Sequence, residues 1–373
     1  MEFKLHKSLN SYTKHSQGKN KEDIFLSPSF LSVFFNNHKK NIQHLFLEFK
    51  DKSSKGFIYA QKIKIGGKQI SSYQFKNNIK KQTNSLLLNL FNFNIIGFGN
   101  NFLTNEASIS IEGEVSNPKD LIHQLVQFTN KYHRVSNFIF PDHFFKEFKI
   151  DHPEKIYPKL IVLQVDEEMN LEIRSNWNSF DDYINSLKKK YKKKLKQSFL
   201  MSSDLHFKKF GEKEIRFHEN KMQILFDSVR SSSSFYSTPF NVKSYIDFIK
   251  IKDLNCIVYG CFIKDELVGF CSEWIIKKKL YSYFIGLDYN LNKKYRIYER
   301  ILYKAIEDGI NEKVENIILG RTAAEFKSNF GAVPKNSLIY IYVKNPLLRL
   351  IVRPIFSLIK PKKWIQRNPF LKL

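Results

Sequence analysis

Four side chains able to hold charge or move protons, Arg321, Thr322, Glu325 and Lys327, follow a short apolar segment, Val314 to Leu319 (VENIIL), with only Gly320 between. A β-branched run of that length reads as a buried strand, and ligands settle at the carboxyl ends of such strands in open α/β sheets. An arginine there can take a phosphate or carboxylate through two parallel hydrogen bonds, and Lys327 adds a point charge. The same residues also suit a helix start, with Thr322 as cap and Glu325 three positions on. A second pair, Asp288 and Tyr289, closes the segment YSYFIGL and offers a carboxylate and a phenol, or simply a turn. Glu273 lies inside the apolar run GFCSEWII. A carboxylate is costly to bury unless paired, so it is either a proton-transferring group or the outward residue of an alternating strand.

These residues need elements to position them. Tyr281 to Ala332 reads strand, turn, helix, strand, turn, with Asp288, Tyr289, Asn290 and Asn292 in the first turn and the helix starting near Tyr295. Ile297, Ile301, Leu302, Ala305 and Ile306 give that helix one apolar side, and Gly309 marks its end. Cys256 to Phe262, Glu266 to Ile276 and Tyr281 to Gly286 read as successive antiparallel strands. Upstream, a helix over Glu219 to Val229 runs into Arg230, four serines, Phe235, Tyr236 and Pro239, a polar segment suited either to cover a substrate or to act as a linker. Ser179 opens another helix, expected to run to residue 200 through KKKYKKKLK (Lys188 to Lys196), with Tyr183, Ile184, Leu187, Tyr191 and Leu195 as its apolar stripe. Its lysines are a solvated face or a contact for an anionic partner. Leu160 to Val165 and Leu171 to Arg174 read as paired strands.

The first half has the same order of elements. FIYAQKIKI (Phe57 to Ile65), followed by Gly66-Gly67-Lys68-Gln69, predicts a hairpin, and Leu86 to Phe98 a further strand. A helix over Leu121 to Tyr132 and a strand SNFIF, closed by Pro141-Asp142, complete a strand-helix-strand set like the one at Tyr281 to Ala332.

At 373 residues with 42% hydrophobic and 15% aromatic content the chain is long enough for two cores and excludes general disorder. A formal charge of +25 favours anionic partners, whether nucleic acid, an anionic membrane surface or phosphate-bearing substrates. Three cysteines without a CxxC pair indicate neither a disulfide framework nor a zinc site, and point to a reducing compartment. The amino-terminal stretch lacks the apolar core of a secretory signal and no uncharged apolar run reaches roughly 18 residues. The expectation is a cytoplasmic protein that spans no membrane.

The stretches FIGLDYN (Phe284 to Asn290), YERILYKAIEDGI (Tyr298 to Ile310), ILGRTAAEFKSNFGA (Ile318 to Ala332) and SLKKKYKKKLKQS (Ser186 to Ser198) resemble the GNAT superfamily. The likeness is to its Fem-like branch, with the peptidogalycan-biosynthesis-type N-acyltransferases and the bacterial ceramide synthases, and is most specific from Ser179 to Tyr342. It implies an α/β (α+β) fold of tandem GNAT-like lobes, each a mixed, mainly antiparallel sheet flanked by helices. Residues 1–176 would form the first lobe and 177–344 the catalytic lobe with its basic helix 179–200, followed by a tail, 345–373. In the first lobe Pro141-Asp142-His143 stands where the second has Gly320-Arg321-Thr322, which suits a lobe that shapes the acceptor site without performing chemistry.

The resemblance also implies N-acyl transfer to an amine, which needs a neutral amine, a stabilised oxyanion and a protonated leaving thiol. Glu273, Asp288 and Tyr289 are then the candidate catalytic residues, and Arg321, Thr322, Lys327, Arg230, Tyr236 and Arg296 the candidate substrate-binding residues, with no metal. One departure stands out. Asn290 to Arg296 (NLNKKYR) contains no glycine, so the pyrophosphate loop of common acetyltransferases has no match, although Lys293, Lys294 and Arg296 remain available to a phosphate. The donor expected is a long acyl thioester of CoA or an acyl carrier protein, used as co-substrate rather than a resident cofactor. The tail NPLLRLIVRPIFSLIKPKKWIQRNPFLKL mixes apolar residues with Arg349, Arg353, Lys360, Lys362, Lys363 and Trp364, and suits the head-group region of a membrane or an arm packed on the protein. The expected activity is ceramide-synthase-like acylation of a long-chain amine or lipid-linked acceptor at the inner face of the cytoplasmic membrane. The alternatives are a Fem-type transferase using aminoacyl-tRNA on a peptidoglycan precursor, or a non-enzymatic basic protein binding membrane or nucleic acid.

Overall fold

A computed structural model describes residues 1–6, 8, 9, 11, 12, 23–39, 42–66, 92–106, 108–232, 239–357, 361 and 363–371. The chain begins with β1 (Glu2–His6), α1 (Pro28–Asn37), β2 (Ile42–Lys50), β3 (Ser54–Gly66), β4 (Asn92–Gly97), β5 (Ile109–Gly113), α2 (Pro118–His133), β6 (Asn137–Pro141), α3 (Asp142–Lys146) and α4 (Pro153–Ile156). It continues with β7 (Leu160–Glu172), α5 (Phe180–Ser186), α6 (Lys189–Met201), β8 (Leu205–Phe210), α7 (Glu212–Ser232), α8 (Tyr245–Phe248), β9 (Cys256–Ile263), β10 (Glu266–Ile276) and β11 (Lys279–Leu287). It ends with α9 (Tyr289–Tyr295), α10 (Ile297–Asn311), β12 (Asn316–Ile318), α11 (Ala324–Ser328), β13 (Val333–Val343) and α12 (Pro346–Ser357). Two compact units result: Met1–Val165 with Ser234–Phe240 and Ser337–Lys362, and Asp166–Ser233 with Asn241–Asn336 and Lys363–Leu373.

In the first unit the strand order is β1-β2-β3-β4-β6-β13, with β5 also on β3. All neighbours are antiparallel except β4 and β6, which the crossover helix α2 joins in parallel. That helix starts where Asn117 accepts a hydrogen bond from the Asp120 amide and Pro118 takes the first turn, and it ends at Arg134 in the left-handed region. Leu121, Ile122, Leu125 and Val126 of α2 then face Phe98, Phe138 and Phe140 of the sheet in one core. The predicted hairpin partner of β3, from Lys68 onward, and the first part of the Leu86 to Phe98 strand lie outside the described residues.

The second unit repeats the plan. Its order is β7-β12-β11-β10-β9-β8, again antiparallel except for one pair, β11 and β12, joined in parallel through α9 and α10. Tandem lobes of mixed, mainly antiparallel sheet with flanking helices are therefore present. The apolar stripe of α10 lies against Leu280 and Ile317, and its first turns, Ile297 and Ile301, against Cys261, Val268 and Cys271. On β11, α7 comes so close that a Cβ on Gly286 would sit 2.8 Å from the backbone at Leu225 and Phe226.

Three local expectations change. The segments Leu160 to Val165 and Leu171 to Arg174 are not paired strands: Leu160 to Glu172 is one continuous strand, β7, since the acidic residues between them stay extended, and Ile173 and Arg174 lie beyond its end. The helix expected over 179–200 is two helices: Ser179 and Asp182 form a reciprocal capping box for α5, but Leu187 turns extended and bridges Phe370. The tail thus cuts the helix, with Lys188 N–H donating to Pro369 O and Leu371 N–H to Ser186 O. Finally, the turn expected after Asp288 is the short helix α9, separated from α10 by Arg296 at φ 51°.

Any side chain at Gly286 must push α7 off the sheet. Gly286→Ala should therefore cost about 1–3 kcal/mol, read as a lower urea midpoint at unchanged slope. An unchanged midpoint would mean that α7 does not pack as described.

Candidate active site

The two parallel strands of the second unit share a register only over Lys279–Tyr281 and Asn316–Ile318. Beyond that, β11 continues against β10 as far as Leu287, while Leu319 and Gly320 exchange backbone hydrogen bonds with Met169 of β7. The strands diverge, and both carboxyl ends lie at the same edge of the sheet. Mid-strand residues of β11, from Tyr281 to Ile285, are only half-buried, unusual for a central strand. In the first unit β4 and β6 do not part: Phe98 N–H still donates to Ile139 O, and Phe98 stacks on Phe140 at 4.6 Å.

The loop that leaves β12 is strained. Gly320, Thr322 and Ala323 have φ of 71°, 67° and 50°. A left-handed threonine costs on the order of 1–3 kcal/mol, because its branched Cβ crowds the backbone, and such strain collects at functional sites. What holds it is Lys327. From α11 its ammonium reaches back to the carbonyls of Leu319, Gly320 and Arg321 at 2.7, 3.2 and 2.7 Å, one acceptor for each N–H. Burial pulls this lysine down to about 7, and Glu168 and the three carbonyls oppose it by favouring the charged form. Lys327 is 4% exposed, so it does not face a cleft as a ligand-binding charge; it fixes the loop that presents Arg321 and Thr322. Arg321 is half-buried and Thr322 exposed.

The helix-cap alternative also changes. Ala323, not Thr322, precedes α11, without a side-chain cap, and Glu325 is paired to Arg367 of the tail. Tyr298 of α10 stacks on Phe326 of α11 at 5.3 Å, which ties this loop to the elements after β11.

At the end of β11, the Asp288 carboxylate accepts the Asn290 amide at 2.8 Å and so starts α9. Tyr289 is 47% exposed, and its hydroxyl accepts from Ser232 Oγ at 2.8 Å. That contact brings the end of α7 to the end of β11. Arg230, two residues earlier, holds Asp227 at 3.0 Å, and Arg296 holds Glu299 at 3.3 Å. Tyr236 lies outside the described residues. Asp288, Tyr289 and Arg296 thus follow one of the diverging strands, Arg321, Thr322 and Lys327 the other, and Arg230 stands on the helix that meets Tyr289.

Glu273 is elsewhere. A bulge between Cys271 and Glu273 turns its side chain under α10, where it is 1% exposed. Burial raises its pKa well above the usual carboxylate range, and the hydrogen-bonded neighbour Asp308 adds to the rise. Among the described residues neither Glu273 Oε2 nor Asp308 Oδ2 has a donor, and one shared proton satisfies both. Asp308 is held from its other side by Lys304 at 2.6 Å. A protonated acid sealed under a helix cannot accept a proton from an amine at neutral pH, so the reading of Glu273 as general base gives way to one of core pairing. For Lys304 and Asp308 the sequence signal is their i, i+4 spacing on one helix; Ser232 and Arg367 have no local signal.

Two measurements test this. Lys327→Met leaves three carbonyls turned toward an apolar group and should cost about 3 kcal/mol or more; a smaller loss than 1 kcal/mol would show that the loop holds itself. Folded Glu273 keeps its proton at pH values where an unfolded glutamate, near 4.5, has released it. Unfolding then releases a proton, so wild-type stability falls as pH rises through that interval, whereas Glu273→Gln should stay nearly flat from about pH 5 to 8. An equal decline in both proteins would rule out the shared proton.

No protein-family model and no curated protein matches this sequence. Solved structures do match. The crystal structure of FemX is 8% identical over 95% of this chain and 100% of its own, with a TM-score of 0.51. A tandem GNAT protein from the clavulanic acid biosynthesis pathway is 6% identical over 92% of this chain and 99% of its own, with a TM-score of 0.50. The C-terminal domain of a putative lysylphosphatidylglycerol synthetase from Agrobacterium fabrum is 11% identical, at 0.48. With these two repeated units and their parallel crossover pairs, the chain has a tandem GNAT-like fold of the Fem type.

Proposed function

We propose that the protein is an N-acyltransferase that moves a long acyl group from a thioester to the amine of an amphiphile. The observation that carries this is the divergence of β11 and β12 beyond Tyr281, with a strained, basic loop on one strand end and a carboxylate and phenol on the other. A thioester laid into that opening meets the strand edge that β12 leaves uncovered. The amine nitrogen attacks the carbonyl carbon, the C–S bond breaks, the nitrogen gives its proton to Asp288 or to a water it holds, and the thiolate takes one from Tyr289. Ser232 donates to the Tyr289 oxygen and so leaves the phenolic proton free to be given away. Arg321, Arg230 and Arg296 supply positive charge for an anionic donor or acceptor.

The acceptor is proposed to come from a membrane. On α12, Leu347, Leu350 and Ile351 are 72%, 72% and 52% exposed, and Arg349 and Arg353 flank them. Among the described residues no helix is long and apolar enough to cross a bilayer, so this helix would lie in the interface. The end of the tail does something different. Trp364 donates to Glu167 at 3.2 Å, and Phe370 packs on Trp177 and Tyr183 under Arg174. Residues 363–371 are an arm of the second unit, and Trp364 is not a membrane anchor there.

The Fem-type alternative has its own support, since the match to FemX runs over 95% of the chain. Purified protein decides between them. Transfer of a palmitoyl thioester to a long-chain primary amine, with no transfer from aminoacyl-tRNA to a peptidoglycan precursor, is expected; the reverse outcome overturns the lipid reading. Tyr289→Phe should lower kcat about 10–100-fold with little change in KM, and an unchanged kcat would remove Tyr289 from the proton path.

Truncating the tail would unseat its packed arm, so the membrane contact is better tested on α12 alone. Leu347→Glu with Leu350→Glu should release the protein from phosphatidylglycerol vesicles at unchanged thermal stability. Each cation near the surface adds about 1 kcal/mol, so wild-type binding should weaken with salt but persist. Full retention of vesicle binding by the double variant would refute the contact.

A further inference from the structure

The helix α6 carries a charge pattern that its own fold leaves uncompensated. From Tyr183 to Ser203 the chain has seven lysines, Lys188, Lys189, Lys190, Lys192, Lys193, Lys194 and Lys196, and no Asp or Glu. Among the described residues none of the seven pairs with a carboxylate; Lys188 donates to Asn368 O and Lys194 to Asn329 Oδ1. Lys189 and Lys190 occupy the first turn, at the positive end of the helix dipole, and the N-cap, Lys188, makes no side-chain cap bond. The pairs 189/193, 190/194 and 192/196 set like charges one turn apart. Every one of these choices works against the isolated helix. It stands because Leu195 and Ser198 are buried and Arg300, lying over Phe199, ties Ser202 to α10.

The face formed by Lys189, Lys193, Lys196 and Leu200 follows i, i+4, i+7, i+11 spacing, and Leu200 is 76% exposed. Helix α9, with Lys293 and Lys294 exposed, packs against α6 and follows directly on β11. One helix, α9, thus separates α6 from the end of β11 where the thioester is placed.

We propose that this face docks an acidic helix of a small carrier protein that bears the acyl group as a thioester. The proposal rests on the acyl-transfer reading above and adds to it the form in which the donor arrives. Three features favour a protein helix over a nucleic acid or a bilayer. Leu200 continues the lysine row as an apolar contact, which phosphates cannot use. The row is all lysine, without the arginine forks that grip phosphates in pairs. The lysines span about two and a half turns, roughly the length of one short helix.

The test uses the full chain with Lys189→Glu, Lys193→Glu and Lys196→Glu combined, none of them a residue of the reacting site. The probes are a palmitoylated acyl carrier protein and the palmitoyl thioester of N-acetylcysteamine, with one long-chain amine as acceptor. Expected is a fall in kcat/KM of about 30-fold or more with the carrier-bound donor and a change under about twofold with the small thioester, the wild-type carrier rate dropping steeply with salt. Equal effects on both donors, or none on either, overturn the proposal. Binding of fluorescently labelled carrier protein is measured alongside. If neither donor is turned over by wild type but the carrier binds and the triple variant loses it, the transfer reading fails while the docking surface stands. If the wild type does not bind the carrier and instead binds bulk tRNA or phosphatidylglycerol vesicles through these lysines, the surface belongs to another partner and the proposal falls.

Discussion

A single ammonium group holds the end of β12 in place. Lys327 gathers three consecutive carbonyls, and those carbonyls can converge only because the backbone between them has turned left-handed at Gly320 and again at Thr322 and Ala323. Strain and clamp are one arrangement: the loop could not keep its φ values without the charge, and the charge could not stay buried without the carbonyls. From this follow the exposure of Thr322 and the half-buried place of Arg321. The segment fixed by Lys327 is also the one that keeps its pairing with β7, through Met169, after the pairing with β11 has ended.

The buried acids show how burial assigns roles. Glu273 lies under α10 against Asp308 of that helix, where water cannot stabilise two carboxylates side by side, and a shared proton with Lys304 on the far side is the arrangement that satisfies all three. Asp288 and Tyr289, at the end of β11, are instead in contact with solvent. A carboxylate in an apolar strand thus contributes to packing here, whereas the carboxylate at the strand end, Asp288, caps a helix and stays within reach of solvent.

Charge is unevenly spent along the chain. Many lysines are dispersed, but α6 and its N-cap concentrate seven over nine positions, and among the described residues none of the seven pairs with a carboxylate. A helix that tolerates such repulsion is held by its buried stripe and by Arg300, so its outer face is free to be shaped by a partner. The paired design of the two units contrasts in the same way: both have the strand-helix-strand crossover, but the first closes its parallel pair with Phe98 and Phe140, and the second leaves its pair open.

Local periodicity determined much of this in advance. The alternation of β9 to β11, the apolar stripe of α10, the capping residues of α2 and α5 and the repeated order of elements all follow from interactions within a few residues, and they placed Asp288, Tyr289 and Arg321 at strand ends. What the sequence could not determine depends on groups far apart in the chain. Leu187 leaves its helix because Phe370, from the other end of the unit, pairs with it; Glu325 caps nothing because Arg367 takes its charge; Lys327 turns inward because three carbonyls converge there; and Glu273 holds its proton because α10 lies over it. Nearest neighbours set helix and strand, but whether a charged side chain becomes a ligand, a clamp or a buried acid is set by which distant groups share its solvent-free space, and only the tertiary structure brings those groups together.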